Sequence, residues 1–351
     1  MDTLFYLQDG TAVRTLPENY DKFFVTDYGD KAPSMSRYEY SGDHIFYNID
    51  TLCVGLYDVF RDLVFATPEE YYQYLPLSPQ WITRAGLDSD FDMPQKQLED
   101  CFSSHIHEKM KEYGVTKPAL SEIYERIDSK KFKYAYVADC QSLINTLQEL
   151  ILSCHSSFIS FYKNLCLLPF ENDVEGTWCA MGADSRMVYS SLSGLFIQMY
   201  SCFDILTKLA YELEHIQLCE DCYARLSSKK ILYGDKKKLS IKTERTVFEK
   251  TYITTLIENM RNELVHNATW EMNPKVFVHK DKDRILERFV LLPDFTNEGT
   301  LVTYKNRKRF FSEGKKANDE LPKIYFEFLN RIYYTLIIVE KNTGKFSLLS
   351  L

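Results

Sequence analysis

The stretch TVFEKTYITTLIENMRNELVHN (246–267) has the residue spacing of one long amphipathic helix. Its apolar residues recur at intervals of three and four, which places them on one face of a helix that turns roughly 100° per residue. This stripe consists of Ile253, Leu256, Ile257, Met260 and Leu264. We therefore predict a helix over 246–267 whose apolar stripe packs against a core.

Polar residues occupy the opposite face of this helix. Asn262 and His266 lie four residues apart and point away from the stripe, and Glu258 belongs to the same row. Arg261 lies on the flank, roughly 140° from His266 around the axis. One straight helix therefore does not direct Arg261 and His266 side by side. Either the arginine side chain wraps around the helix, or a second copy of the helix completes the group across a two-fold axis.

Periodicity elsewhere in the chain predicts many helices and few strands. Helical spacing begins near Tyr47, a second helix begins at Thr67, and further helices are predicted over 94–113, 118–131, 140–168, 185–214 and 322–340. Between the last two long helices, KVFVHK, RFVLLPDF and GTLVTYK alternate like short strands. The prediction is a mainly α fold: a helical bundle with a small β-rich insertion at about 272–312, preceded by a mostly helical N-terminal region.

The charge of the chain is divided unevenly. The formal net charge of −8 arises almost wholly in residues 1–135, which hold 14 Lys and Arg against 23 Asp and Glu. Residues 136–351 hold 28 against 27 and include the basic runs SSKKILYGDKKKLSIK (227–242) and YKNRKRFFSEGKK (304–316). We predict an acidic, Tyr-rich region at 1–135 that regulates the protein or contacts a protein partner, and a helical domain at 136–351.

The motif Arg261-Asn262-Glu263-Leu264-Val265-His266 resembles the R-x4–6-H motif of the HEPN superfamily, in which Asn, Asp or His typically follows the arginine. The resemblance implies an α-helical bundle, commonly dimeric, in which two such motifs meet in a cleft. It also implies a metal-independent endoribonuclease of toxin, antiphage-defence or RNA-processing systems. An upstream helix of such enzymes often adds an acidic residue, and Asp204 in SLSGLFIQMYSCFDILTKLAYEL is the corresponding candidate. Residues 1–135 and the β-rich insertion are departures from the family pattern.

These residue types match the chemistry of metal-free RNA cleavage. Histidine exchanges protons near neutral pH, so His266 is the candidate general base or acid. Arg261 can bind two phosphate oxygens of the transition state, and Asn262 can orient the histidine or bind the phosphate. In this chemistry we expect Asp204 to hold Arg261 or to raise the pKa of the histidine. The alternative role of Asp204 is an ordinary salt bridge between two helices.

The second basic run supplies candidate RNA contacts, because its cations and aromatic rings alternate. Cations hold phosphates while aromatic rings stack on bases. The candidates are Lys305, Arg307, Lys308, Arg309 and Phe310. An ordinary solvated surface is the alternative interpretation of this run. A non-catalytic HEPN-like protein that binds RNA, a nucleotide or a protein is the alternative for the chain as a whole.

Other chemistries and compartments have less support from the sequence. His215, Cys219 and Cys222 are spaced like zinc ligands but lack a fourth, and the acidic run DSDFD (88–92) has Met93 where a calcium loop needs glycine. We expect no metal and no cofactor. The sequence has no uninterrupted apolar stretch of about 18 residues, no export signal and an odd number of cysteines, nine, without framework spacing. These features predict a cytoplasmic protein with reduced thiols, outside the membrane.

Overall fold

The computed structural model describes residues 3–6, 12–15, 43–65, 132–167, 174–218, 239, 244–282 and 284–343. The elements in chain order are β1 (Thr3–Tyr6), β2 (Ala12–Thr15), α1 (Asp43–Phe65), α2 (Phe132–Leu167), β3 (Gly176–Met181), α3 (Ala183–Leu218), α4 (Tyr252–Asn267), β4 (Lys275–Asp281), β5 (Arg284–Phe289) and α5 (Ala317–Thr343). The mainly α prediction is confirmed. Among the helices that the structure describes, none is long and apolar enough to cross a lipid bilayer.

The five helices share one hydrophobic core. The long helices α2 and α3 pack along each other, α1 packs against α2 and α5, and α4 packs against α3 and α5. Buried side chains of α1, such as Ile49 and Phe60, belong to the same cluster as those of the other helices. Helix α1 therefore packs into the bundle although it precedes the predicted boundary near residue 135, and that boundary itself stays a prediction. The helices predicted from Thr67 and over 94–113 and 118–131 lie outside the described residues.

The predicted β-rich insertion does not form a sheet by itself. Its strands β4 and β5 pair antiparallel, but β4 also pairs with β3, which precedes α3, so the sheet order is β3-β4-β5. The segment 290–305, predicted as parts of two strands, forms only isolated bridges such as Phe295 to Leu301. The prediction missed β3 because only three of its six positions face inward, and two of those, Gly176 and Ala180, have little or no side chain.

Helix α4 begins later than predicted, at Tyr252. The preceding segment is bound to α5 instead: Arg331 Nη1 donates to the Thr246 carbonyl at 3.0 Å, and the Val247 amide donates to Thr335 Oγ1 at 3.1 Å. A helix beginning at 246 would use the Thr246 carbonyl itself, and it would leave the Val247 amide without a partner inside the helix. Thr251 then caps α4, because its side chain and that of Thr254 each accept a hydrogen bond from the other residue's amide.

Helix α5 begins five residues earlier than predicted and contains Pro322. Proline has no amide hydrogen, so the carbonyl of Asn318, four residues earlier, loses its usual partner within the helix. The hydroxyl of Tyr162 on α2 donates to that carbonyl at 2.8 Å. The proline is thus tolerated inside α5 because a neighbouring helix supplies the missing donor.

An acidic pair lies between α2 and α3. Glu212 of α3 is only 1% exposed, and its Oε2 has no hydrogen-bond partner among the described residues. Burial, and then the nearby charge of Asp139 on α2, raise the pKa of Glu212 to about 9. Burial raises the pKa of Asp139 to about 7. The folded protein therefore keeps these carboxyl groups protonated at pH values at which the unfolded chain releases the protons.

We predict that the stability contributed by this pair is fully present below about pH 4 and is lost as the pH rises through about 7 and then about 9. Glu212→Gln removes one of the two titrations, so its melting temperature should fall less steeply between pH 5 and 9 and exceed that of the wild type at pH 8. Circular dichroism melting measures both. The control Glu149→Gln changes an exposed glutamate of α2 and should keep the wild-type slope. A wild-type slope in Glu212→Gln would contradict the prediction.

Candidate functional site

Helix α4 presents the predicted motif on the side opposite to its core stripe. Leu256, Ile257, Met260 and Leu264 are buried and Ile253 is partly buried, so the predicted stripe is confirmed. Asn262 is half-buried and His266 is exposed. The helix ends as predicted at Asn267, where Ala268 adopts a left-handed backbone with φ 64°. Trp270 is then fully buried and stacks on Tyr189 of α3 at 5.0 Å between ring centroids, which fixes the end of α4 against α3.

Arg261 lies between a neighbour on its own helix and an aromatic ring on α3. Its Nη1 donates a hydrogen bond to Oδ1 of Asn262 at 3.0 Å. Its guanidinium carbon lies 4.9 Å from the centroid of the Tyr200 ring, which is a cation–π contact. The guanidinium is therefore oriented by both groups, and the arginine and asparagine predicted as site residues are in direct contact.

Asp204 joins this group through Glu258. Burial raises the pKa of Glu258 above its usual value, Lys250 and Arg261 act against this rise, and Asp204 adds to it. The charges of Asp204 on α3 and of Arg261 on α4 thus both act on the Glu258 carboxyl. The sequence placed Glu258 on the outward row but gave it no role. Its neighbours make it the acidic centre of the contact between α3 and α4.

The order of these contacts shows how α3 and α4 run. Tyr189 precedes Tyr200 on α3, whereas their contacting partners come in the opposite order, with Arg261 inside α4 and Trp270 just after its end. The two helices are therefore antiparallel at this point. Ile197 on α3 and Val265 on α4, about one turn further along each helix in this register, both have exposed side chains.

Glu263 forms the opposite flank of the motif. It is 2% exposed, and its carboxylate accepts hydrogen bonds at 3.2 Å from Lys308 Nζ and from Nε and Nη2 of Arg309. Helical angles place Asn262 and His266 between the side of Arg261 and the side of Glu263. The outward row thus has a cation from α4 on one side and cations from the segment 304–309 on the other.

The five residues predicted to bind RNA have different surroundings. Lys308 and Arg309 are bound to Glu263, a role that the sequence prediction did not include. Phe310 is half-buried, and its carbonyl accepts a hydrogen bond from the Asp294 amide at 2.7 Å. Lys305 and Arg307 are exposed. Among the four cations of this set, Lys305 and Arg307 therefore extend into solvent, and Lys308 does so in part.

The other candidate sites from the sequence are mostly outside the described residues. This applies to DSDFD, to Cys219 and Cys222, and to the side chain of His215. Within the described ranges, no group of three or more His, Cys, Asp and Glu side chains is placed to hold a metal ion. No family model matches the chain, and comparisons with curated proteins and with solved structures found no match either.

We predict that Glu263→Gln lowers the free energy of unfolding by about 1–2 kcal/mol, because two cations lose the buried charge that they face. This loss of stability is small for a buried carboxylate because the side chains of Lys308 and Arg309 are 42% and 25% exposed, so water screens their charges. Urea unfolding measures the change. The control Glu298→Gln replaces an exposed glutamate and should stay within about 0.5 kcal/mol of the wild type. Equal values for the two variants would show that the ion pairs do not stabilise the fold.

Proposed function

We propose that the protein is a metal-independent endoribonuclease of the HEPN type that acts as a homodimer. One observation carries the proposal: Arg261 is held by Asn262 and Tyr200, while His266 is exposed one turn beyond Asn262 on the same helix. A fixed cation and an accessible imidazole are the groups that metal-free phosphodiester cleavage needs. The motif resemblance and the mainly α fold support the same proposal.

In this reaction the histidine transfers protons and the arginine stabilises charge. His266 of one chain removes the proton of a ribose 2′-hydroxyl, whose oxygen attacks the adjacent phosphorus. The bond from phosphorus to the 5′-oxygen breaks, and an acid returns a proton to that oxygen. Arg261 stabilises the added negative charge on the phosphoryl oxygens. The products carry a 2′,3′-cyclic phosphate and a 5′-hydroxyl, so atoms and charges balance without a cofactor.

Asp204 and Glu258 are positioning residues in this scheme. Neither carries the positive charge that binds a phosphate. Glu258 lies one turn before Arg261 on α4, and the charges of Arg261 and Asp204 both act on its carboxyl. Asn262 accepts from Arg261 and completes the orientation. Their expected effect is on the placement of Arg261 and not on the proton transfer itself.

A second copy of the chain explains two features. One histidine does not serve as base and acid in the same step, and two copies supply two histidines. In addition, Ile197 and Val265 expose 38% and 51% of their surface beside the motif, where a partner subunit would cover them. We place the two motifs of the dimer in one cleft with these side chains at its edge.

The biological setting follows from the resemblance alone. It supports a role in a toxin or antiviral-defence system of the cytoplasm, with cellular RNA as the substrate. In this proposal the acidic region at 1–135 contacts a protein regulator, although α1 is part of the helical bundle.

The second candidate function is a non-catalytic protein of the same type that binds RNA, a nucleotide or a protein. One observation favours it: Arg261 already has two partners, Asn262 and Tyr200, as in a polar network that joins helices. In that case the histidines of two subunits pack against each other and bind no phosphate. The exposure of His266 favours the nuclease.

We predict that the wild-type protein cleaves total RNA in excess EDTA and that His266→Ala lowers the rate by about 100-fold or more, the usual contribution of a general acid or base. The control His279→Ala removes a histidine from β4, where its Nδ1 lies 2.8 Å from Thr177 Oγ1, and should retain the wild-type rate. Sequencing of cut sites with end-group analysis measures the products. RNA binding without cleavage by any of the three proteins would favour the binding function.

We predict that Val265→Asp converts the dimer to a monomer and abolishes cleavage while the fold persists, because a charge at an apolar contact must be desolvated when the subunits associate. Sedimentation velocity measures the mass, and circular dichroism checks the fold. Val54→Asp is the matched control: Val54 is 46% exposed on α1, away from α4. A dimeric Val265→Asp would rule out this face as the dimer contact.

A further inference from the structure

The basic run 304–316 begins with a two-residue hairpin turn that has an unusual backbone conformation. The amide of Tyr304 donates to the carbonyl of Arg307 and the amide of Arg307 to the carbonyl of Tyr304, both at 2.9 Å. The two residues between them, Lys305 and Asn306, have φ values of 48° and 60°. Such a turn requires the left-handed region at both central positions and most often contains glycine. Lys305 therefore adopts a left-handed backbone conformation that is unfavourable for a residue with a side chain.

Partly buried hydrogen bonds hold the base of this turn. Lys308 and Arg309, the next two residues, bind Glu263 of α4, and Arg309 also has a positive φ of 73°. The Asp294 amide donates to the Phe310 carbonyl, and the Asp294 carboxylate accepts from the amide and hydroxyl of Ser312 at 2.8 and 2.6 Å. Unfavourable backbone conformations persist where the surroundings determine them, and they concentrate at functional sites.

The tip of the turn combines an exposed aromatic ring with cations. Tyr304 is 63% exposed, and Lys305 Nζ lies 5.5 Å from the centroid of its ring. Lys305 and Arg307 form no ion pair with any carboxylate in the described part of the chain. The exposed ring can stack on a base, and the two cations beside it can bind phosphates. This combination matches the alternating bases and phosphates of a single strand of nucleic acid.

We propose that the turn 304–307 binds single-stranded RNA, with one base stacked on Tyr304 and the adjacent phosphates bound by Lys305 and Arg307. The proposal rests on the proposed function, whose substrate class it narrows to unpaired RNA. A duplex keeps its bases stacked on each other and offers none to Tyr304. The turn is therefore a site that selects loops and single-stranded segments.

Glu263 acts as a positioning residue for this site. It lies three residues before His266, which is about 4.5 Å along the helix axis, and it holds the base of the turn through two cations. The stacked base is thus fixed at one distance from His266. The cut falls at a constant number of nucleotides from that base.

The test uses the full chain with His266→Ala, which removes cleavage from the measurement. Fluorescence polarisation gives the Kd of a labelled 12-nucleotide single-stranded RNA and of the same sequence as a duplex. Tyr304→Ala and Arg307→Glu are added to this parent, and Lys323→Glu, at an exposed lysine of α5, is the matched charge control. Circular dichroism melting shows whether each variant retains the fold of the parent.

We expect each turn variant to weaken single-stranded binding by about 10-fold or more, with Tyr304→Ala changing duplex binding by less than about 3-fold. Lys323→Glu should bind like the parent. The proposal is overturned if the parent does not bind single-stranded RNA, if both turn variants bind it like the parent, or if Tyr304→Ala weakens duplex binding equally. Cleavage by the wild type with unaffected binding in the turn variants would leave the nuclease standing without this site. Lost binding in the turn variants with no cleavage by the wild type would leave this site without the nuclease.

Discussion

The ion pairs of Glu263 determine how the candidate site is presented. A carboxylate that is 2% exposed in a protein interior is tolerated only with cations close to it, and Lys308 and Arg309 supply them. The glutamate lies inside the motif that also contains Arg261 and His266, so these pairs fix one flank of α4 to the segment 304–309. The contact of Arg261 with Tyr200 fixes the other flank to α3. Asn262 and His266 therefore face outward, between the flank of α4 that contacts α3 and the flank that contacts the segment 304–309.

The helices were largely predictable because their apolar spacing is regular. The stripe of α4 follows directly from the sequence. Helix α2 begins at Phe132, before the predicted start at 140, and ends at Leu167, beside the predicted end at 168; helix α3 extends over Ala183–Leu218, beyond both limits of the predicted 185–214. The role of Asp204 stays a prediction; its charge and that of Arg261 both act on the Glu258 carboxyl. Local periodicity thus determined which elements form and which faces of them are buried.

The remaining features depend on contacts between distant parts of the chain. The segment before Tyr252 is bound to α5 instead of continuing α4: Thr246 accepts a hydrogen bond from Arg331, 85 residues away, and Val247 donates one to Thr335, 88 residues away. Glu263 reads in the sequence as one more surface charge, and only its partners, 45 and 46 residues later, make it a buried anchor. The turn at Lys305 and Asn306 has no glycine to mark it. In each case a tertiary contact outweighs a local preference.

In the proposed function, the outward row of α4, completed by a second chain, binds the scissile phosphate of RNA. The most direct measurement is a crystal structure of the full chain with a single-stranded RNA whose 2′-hydroxyls are all methylated, since methylation blocks the attacking oxygen. We predict one phosphate in contact with Arg261 and within hydrogen-bond distance of His266, in a cleft between two chains. RNA bound elsewhere on the protein, or two His266 side chains packed against each other with no phosphate between them, would contradict it.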